Sequence, residues 1–318
     1  MKIIYKGDRT DFLKEKGTAL ALGNFDGVHT GHKRLLCATS EIARENGLVS
    51  CVYTFLKHPR TYTEDNTTSL ITNNSEKEKI ISSLGLDAIY YENFLDVKDY
   101  DAQKFCSRIL KDTLNCKIVI CGENFRFAKD RSAGSGVLKT EAEKLGMNCI
   151  VIPYMDDDNE KLNSTRIRKL IRAGDIQKAN ELLGHTFSIY YPVIHGRHLG
   201  TQIGVPTINQ TFEEEKLKPK NGVYACICHI DGKEYMSVSN VGVKPTVTYN
   251  EKNPPVLCET HIIGYSGNLY GKSIKVDFYK KLRDEKRFSS LDELVSEVKK
   301  NIEETELYFS REKKIEKE

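Results

Sequence analysis

Ala19-Leu-Ala-Leu-Gly-Asn-Phe-Asp-Gly-Val-His-Thr-Gly-His-Lys-Arg-Leu-Leu36 is the stretch that decides the fold of this chain. Its apolar start, up to Leu22, predicts a strand, and Gly23 and Gly27 bracket a tight turn. A helix is expected to begin near His29. Because the free N–H groups of such a helix start face a crevice, the stretch predicts a site that holds a nucleotide for chemistry on its phosphates.

Two histidines belong to the start of this predicted helix. His29 and His32 are three residues apart, so both imidazoles lie on one face. Gly31, between them, removes a side chain at a point where a ligand could approach the backbone. The three residues therefore extend the predicted phosphate site by one helical turn.

The overall composition is that of an ordinary globular protein. The 318 residues are enough for two domains, with 39% hydrophobic and 29% charged residues. The formal net charge of only +3 argues against general nucleic-acid or membrane-surface binding. Apolar runs stay well short of the roughly 20 residues of a membrane span, and we expect no signal peptide and a cytoplasmic protein.

The number and spacing of the cysteines also favour a cytoplasmic protein. The nine cysteines form no Cys-x-x-Cys pair, and the closest two are Cys226 and Cys228. We interpret them as reduced thiols used as small apolar residues rather than as disulfides or zinc ligands.

The first half of the chain alternates strands and helices. Further strands are predicted at residues 48–55, 88–91, 117–121 and 148–152, and helices at 30–46, 76–84, 101–114 and 138–145. This order is typical of a doubly wound parallel sheet, whose ligands bind beyond the carboxyl ends of the strands. Polar clusters follow three of the strands, namely the opening motif, His58 and residues 122–127, and we expect them to converge on one crevice.

The pattern changes after two short helices that end near Gly184. Short strands at 187–195, 222–230, 234–243, 257–263 and 273–278 predict a small antiparallel β-barrel. One closing helix is predicted from Leu291 to about Phe309, capped by Ser289 or Ser290. We therefore expect a nucleotidyltransferase-like domain over residues 1–184 and a barrel domain with a terminal helix over residues 185–318.

Basic residues open the helix that follows the parallel-sheet region. Asn163 or Ser164 is a suitable N-cap, and Arg166 and Arg168 lie in the first turn. Cations at a helix N-terminus are unfavourable unless an anion joins them, which favours a phosphate contact. A solvated basic face is the alternative.

A second glycine-rich stretch lies at the start of the barrel region. Gly196, Gly200 and Gly204 recur every four residues, which by itself is a weak phosphate-binding signal. Thr207 and Asn209 point to the same side of an extended segment, as a hydroxyl and an amide oxygen would if they ligated Mg²⁺. An ordinary hairpin is the alternative.

Taken together, these motifs resemble one family. Gly23-Asn-Phe-Asp-Gly-Val-His-Thr-Gly-His32 paired with Ser164-Thr-Arg-Ile-Arg168 resembles the FMN adenylyltransferase module of bacterial bifunctional FAD synthetases. Gly204-Val-Pro-Thr-Ile-Asn209, with motifs at 221–224, 240–246, 259–263, 269–271 and 282–285, resembles riboflavin kinase. The order and spacing cover nearly the whole chain.

The resemblance implies two ATP-dependent reactions, phosphorylation of riboflavin to FMN and adenylylation of FMN to FAD with release of pyrophosphate. It implies that His29 and His32 stabilise the leaving pyrophosphate, that Arg166 and Arg168 neutralise it, and that Glu259 is the kinase base. The other implied contacts are ATP at Gly23, Asn24, Phe25, Gly31, Ser164, Thr165, Gly196, Gly200 and Gly204, flavin at Asn124, Arg126 and Arg283, and Mg²⁺ at Thr207 and Asn209.

Two departures from the family pattern leave alternatives open. In Gly122-Glu-Asn-Phe-Arg-Phe-Ala128, Asn124 stands where the family has an acid and Ala128 where it has a glycine. A kinase whose adenylyltransferase half is weak or inactive is therefore the first alternative. The second is a tRNA-binding synthetase-like protein, since His-x-Gly-His also marks class I synthetases, but the near-neutral charge and the missing Lys-Met-Ser-Lys-Ser stretch argue against it.

Overall fold

The computed structural model describes residues 1–62, 69–157, 160–196, 200, 204–243 and 255–315. The chain forms two compact units, Met1–Ser164 and Thr165–Glu318. Within the described ranges, no helix has both the length and the apolar character needed to cross a membrane.

The first unit is built on a six-stranded, fully parallel sheet. Its strands are β1 (Lys2–Tyr5), β2 (Thr18–Leu22), β3 (Val49–Phe55), β4 (Ala88–Glu92), β5 (Cys116–Gly122) and β8 (Asn148–Ile152). Short two-residue strands pair as β6 (Arg126–Phe127) with β7 (Ala133–Gly134), and as β9 (Asp156–Asp157) with β10 (Glu160–Lys161).

The strand order β1-β4-β3-β2-β5-β8 places the opening motif at a decisive point. From β2 the chain winds outward through β3 and β4, and it then returns to add β5 on the other side of β2. The loop after β2 is therefore at the topological switch point, where open α/β sheets bind ligands.

Helices cover both faces of this sheet. They are α1 (Asp11–Lys16), α2 (Thr30–Glu45), α3 (Asn74–Ser83), α4 (Phe94–Val97), α5 (Ala102–Lys104, continued by wide π-helical turns over Phe105–Thr113) and α6 (Ser135–Lys144). Alternate residues of β2 pack into two separate cores, Leu20 and Leu22 on one face, Ala19 and Ala21 on the other. All four are almost completely buried, because a parallel strand inside a doubly wound sheet is covered on both faces.

The second unit begins with helices α7 (Ser164–Ala173, whose first residue belongs to the first unit) and α8 (Ile176–Leu183). Its antiparallel sheet has the order β11-β16-β13-β14-β15-β12. The strands are β11 (Phe187–Pro192), β12 (Thr207–Thr211), β13 (Gly222–Ile230), β14 (Lys233–Val243), β15 (Val256–Ile262) and β16 (Ser273–Arg283).

The two edges of this sheet meet, so that it curls into a barrel. The Ile194 N–H donates to the Asn209 carbonyl over 2.8 Å, which joins the extension of β11 to β12. The buried Gln210 amide strengthens the seam by donating to the carbonyls of Tyr191 and Ile274, at 2.7 and 2.8 Å. A polar side chain buried in this way is stable only because its donors are satisfied.

A terminal helix, α9 (Leu291–Ile315), completes the unit. The Ser290 hydroxyl accepts from the Glu293 N–H, so Ser290 rather than Ser289 is the cap. Phe309 packs with Ala225 and Ile227 of β13 as the apolar anchor of this helix.

The predicted fold is confirmed, with differences at the ends of elements. Strand β1 and helix α1 carry too little periodicity to be predicted, and β16 continues to Arg283, five residues beyond its predicted end at Phe278. The compact units divide at Ser164, while the functional boundary predicted at Gly184 stays a prediction.

Candidate functional sites

The loop after β2, residues 23–29 (the motif loop), has a strained backbone. Phe25, Gly27 and Val28 all adopt positive φ, at 50°, 80° and 36°. Positive φ is costly for residues with a side chain. A Cβ on Gly23 would lie 2.9 Å from the Phe25 ring, so that glycine is needed for the fully buried phenylalanine to fold back over the loop.

The two histidines form a stacked pair at the start of α2. His29 is the N-cap, and its Nδ1 accepts the His32 N–H over 3.3 Å. Since Nδ1 is the acceptor, the His29 proton is on Nε2, where it can be donated to a ligand. The two rings are 3.6 Å apart and nearly parallel, and a Cβ on Gly31 would be only 3.3 Å from the His29 ring. Gly31 thus also makes room for the pair.

His32 is held neutral by its surroundings. Burial lowers its pKa well below the usual value, and His29 and Lys77 lower it further. Its Nδ1 is buried with no hydrogen-bond partner in the described part of the chain. A neutral, poorly satisfied imidazole beside a helix N-terminus can bind a phosphate oxygen through a hydrogen bond but brings no permanent charge.

Asp26 braces the motif loop, a role that sequence reasoning missed. Only 2% exposed, its carboxylate accepts the N–H groups of Ile71 and Thr72, at 2.9 and 3.2 Å. The Thr72 hydroxyl in turn accepts the Gly27 N–H over 3.0 Å. One signal was available, since a carboxylate among glycines and apolar residues is a candidate for a buried, backbone-bonded acid.

The motif loop also contacts the other predicted clusters of the first unit. The Ser164 hydroxyl donates to the Asp26 carbonyl over 2.9 Å, so Ser164 binds the loop as helix α7 begins. The Asn24 amide lies 3.5 Å from His58 Nε2, which brings together two of the three clusters expected to converge.

The third cluster follows β5. The Asn124 side chain lies close to that of Tyr154, and Gly122 leaves the space it occupies, since a Cβ there would be 3.2 Å from Asn124 Oδ1. Arg126 lies against Gly134, where a Cβ would be 3.0 Å from its Nη1. The two flavin-side residues predicted in this unit, Asn124 and Arg126, thus each lie against a glycine.

Ala128 occupies a backbone conformation that suits glycine. Its φ of 64° and ψ of 174° lie in a region almost exclusive to glycine, which explains why the family pattern has glycine there. We expect Ala128→Gly to raise the free energy of unfolding by about 1 kcal/mol, because relief of the strain exceeds the entropy that glycine adds to the unfolded chain. Urea unfolding measures the change.

A matched control separates this strain from the general effect of glycine. Ala38 is in the middle of helix α2, and Ala38→Gly should lower the unfolding free energy by about 1 kcal/mol. Equal destabilisation by both substitutions would contradict the strain at Ala128.

In the second unit, strand register aligns three polar residues in one row. Glu259 of β15 pairs directly with Asn209 of β12 on one side and with Asn240 of β14 on the other. Directly paired residues of antiparallel strands point to the same face, so the three side chains are neighbours. Asn240, although within a recognised motif, was not predicted as a site residue, because its position beside Glu259 appears only with the register.

Two glycines of the glycine-rich stretch, Gly196 and Gly200, lie close to strand β12 and the residues just before it. A Cβ on Gly196 would clash with the Asn209 side chain, and one on Gly200 would clash with the Val205 carbonyl and lie 3.4 Å from the Thr207 hydroxyl. Asn209 is 7% exposed, and its Oδ1 is buried with no partner in the described part of the chain. An unsatisfied amide oxygen beside a hydroxyl suits a hard cation.

Arg283 is engaged by the terminal helix. Its Nε donates to Asn301 Oδ1 over 3.0 Å and lies 3.3 Å from a carboxylate oxygen of Glu297. Residues 244–246 of the motif that begins at Asn240 lie outside the described residues.

Comparisons with known proteins agree for both halves. The family model described as FAD synthetase matches residues 12–166, and the one described as riboflavin kinase matches residues 183–309. The chain is 32% identical to a bifunctional riboflavin kinase/FMN adenylyltransferase of Bacillus subtilis, over 98% of this chain and 99% of that protein. The chain is also 34% identical to the bifunctional riboflavin kinase/FMN adenylyltransferase of Buchnera aphidicola subsp. Schizaphis graminum, over 92% of this chain and 94% of that protein.

A solved structure extends the likeness to the fold. The crystal structure of a macrolide-efflux protein from Streptococcus pneumoniae superposes with a TM-score of 0.85 at 27% identity, over 96% of this chain and 99% of that one.

Proposed function

The chain belongs to the family of bifunctional riboflavin kinase/FMN adenylyltransferases, and we propose how its two sites divide the two reactions. The second unit transfers the γ-phosphate of ATP to the ribityl hydroxyl of riboflavin, which makes FMN. The first unit joins the AMP part of another ATP to FMN, which makes FAD and pyrophosphate.

For adenylyl transfer, the FMN phosphate is already a nucleophile and needs no general base. An oxygen of this phosphate attacks the α-phosphorus of ATP, and the bond from that phosphorus to the β-phosphate oxygen breaks. Nε2–H of His29 and the neutral imidazole of His32 donate hydrogen bonds to the leaving pyrophosphate. We assign to Arg166 and Arg168 the neutralisation of the same leaving group.

The remaining contacts on this side hold ATP and flavin. Backbone groups of Gly23, Asn24, Phe25 and Gly31, with the hydroxyls of Ser164 and Thr165, hold ATP. The strained backbone of the motif loop supports this role, since such strain persists where a ligand site requires it. Asn124 and Arg126 hold the flavin side of FMN.

For phosphoryl transfer, the nucleophile is a neutral alcohol, and the Glu259 carboxylate accepts its proton. Thr207 and Asn209 would hold Mg²⁺, and the buried, unpartnered Oδ1 of Asn209 supports this assignment. When bound, the ion neutralises charge on the transferring phosphate. Gly196, Gly200 and Gly204 let the backbone approach the ATP phosphates.

Arg283 is proposed to act on the flavin indirectly. Because its guanidinium is bonded to Asn301 and Glu297, it anchors the segment after β16 to helix α9. We infer that it positions a flavin-side loop.

The observation that supports the proposal is that the stacked histidines lie in the first unit, whereas the Asn209–Glu259–Asn240 row lies in the second. The test supplies riboflavin and ATP with Mg²⁺ and separates the products by chromatography. We expect FMN first and FAD after it, and neither in excess EDTA. FMN alone, even when FMN is the added substrate, would support the kinase-only alternative.

We also propose a cytoplasmic location. All nine cysteines are free thiols, and burial raises the pKa of most of them, to about 12 for Cys51 and Cys106. Unreactive, unpaired thiols are usual in a reducing compartment.

A further inference from the structure

A buried lysine is close enough to His32 to act on it electrostatically. Lys77, on helix α3, is only 6% exposed. Its ammonium is 5.8 Å from the centre of the Tyr91 ring. Lysine is among the residues least often buried, because its charge loses the solvation of water.

The position of Lys77 along its helix adds to this cost. Asn73 is the N-cap of α3, so Lys77 is only four residues into the helix, where the helix dipole disfavours a cation. Within the described residues, no carboxylate oxygen lies within 4.0 Å of its ammonium. The Asp26 carboxylate attracts Lys77 from a distance but is already occupied by two backbone N–H groups.

The hydrogen bonds of Asp26 and Gly27 also connect helix α3, which carries Lys77, to the motif loop. Asp26 and Gly27 are bonded to Ile71 and Thr72, directly before the N-cap of α3, so the helix start is fixed against the loop. Lys77 also acts electrostatically on His32, whose pKa it lowers. Among the described residues this buried cation has no ion-pair partner, and its helix is fixed against the loop that is proposed to bind phosphate. An anion bound at that loop would supply the missing partner.

We propose that Lys77 is a phosphate-binding residue of the adenylylation site, which holds the β- and γ-phosphates of ATP and then the leaving pyrophosphate. It donates hydrogen bonds and transfers no proton. The inference rests on the proposed function. It supplies, from within the first unit and near neutral pH, a positive charge that the neutral His32 lacks.

Lys77 carries its positive charge near neutral pH. Burial is the largest effect and lowers its pKa to about 8, while Asp26 and Glu78 partly oppose this. The charged or titratable groups that interact with it are Asp26 of the motif loop, His32 of α2, Glu78 of its own helix and Tyr91 of β4. Lys77 is thus mostly protonated at pH 7 and loses its charge above about pH 8.

The experiment measures the KM for ATP and the inhibition constant of inorganic pyrophosphate with Mg²⁺ during FAD formation from supplied FMN. Lys77→Met should raise both constants about 10- to 150-fold, the usual range for a lost charged hydrogen bond, and Lys77→Arg should restore most of the affinity. Lys79→Met, on the exposed face of the same helix, is the matched control and should change neither. Riboflavin kinase activity of the full chain reports that each variant is folded.

Unchanged ATP and pyrophosphate constants in Lys77→Met would overturn the proposal while leaving FAD synthesis by the wild-type chain intact. If Lys77→Met does not fold, the pH dependence decides. Wild-type pyrophosphate affinity should fall between pH 7.5 and 9 relative to that of Lys77→Arg, which stays charged. If pyrophosphate affinity changed with pH in the same way in the wild type and in Lys77→Arg, the proposal would also be overturned. A wild-type chain that makes no FAD would refute the proposed function instead.

Discussion

His32→Ala is expected to lower the rate of FAD formation about 10²- to 10³-fold, the loss seen when one preorganised donor to a developing charge is removed. The substitution also removes the ring stacked on His29, so the remaining imidazole loses its orientation. FMN formation from riboflavin should stay close to the wild-type rate, because its residues belong to the other unit. The measurement follows both products in one reaction.

The control for this prediction lies on the same helix. Arg34 is exposed two residues further along α2, and Arg34→Ala should leave both rates unchanged. An equal loss of FAD and FMN formation in His32→Ala would contradict separate sites. Burial keeps the pKa of His32 well below the usual value, so His32 should be neutral between pH 6 and 8. A titration of His32 in the rate of FAD formation within that pH range would contradict this neutral state.

The parts of the fold that the sequence predicts well are those that carry strong periodicity. One example is the succession of strand β2, a glycine-rich turn and helix α2, which is a distinctive pattern. Another is the pair of strands β8 and β13, which have the predicted bounds. Strand β1 could not be predicted, because Lys2–Tyr5 is an edge strand whose Ile3 and Tyr5 are exposed like surface residues.

The site residues that were not predicted have one property in common. Each gains its role from contact with residues that are far away in the sequence. Asp26 acts through residues 71 and 72, and Lys77 of helix α3 acts on His32 of helix α2. Asn240 gains its position only when β14 pairs with β15. Arg283 was predicted from a motif, but its bond to Asn301 requires a helix that returns to the barrel.

Glu259→Gln should lower kcat for FMN formation about 10²- to 10⁴-fold, the usual loss when a general base is removed. Glutamine keeps the size of the side chain and its place between Asn209 and Asn240, so the barrel should stay intact. FAD formation from supplied FMN should not change. Steady-state kinetics of the two half-reactions, each with its own substrate, measure both rates.

The same kinetics distinguish a base from a metal ligand. If Glu259 accepts the proton, the loss appears in kcat at saturating Mg²⁺ and the Mg²⁺ requirement is unchanged, because Thr207 and Asn209 hold the ion. Full recovery of kcat at high Mg²⁺ would make Glu259 a ligand instead. Glu234→Gln, at the far end of β14 beside His229, is the matched control and should leave kcat unaffected. The two carboxylates differ in their position within the sheet, since only Glu259 lies in the Asn209–Glu259–Asn240 row.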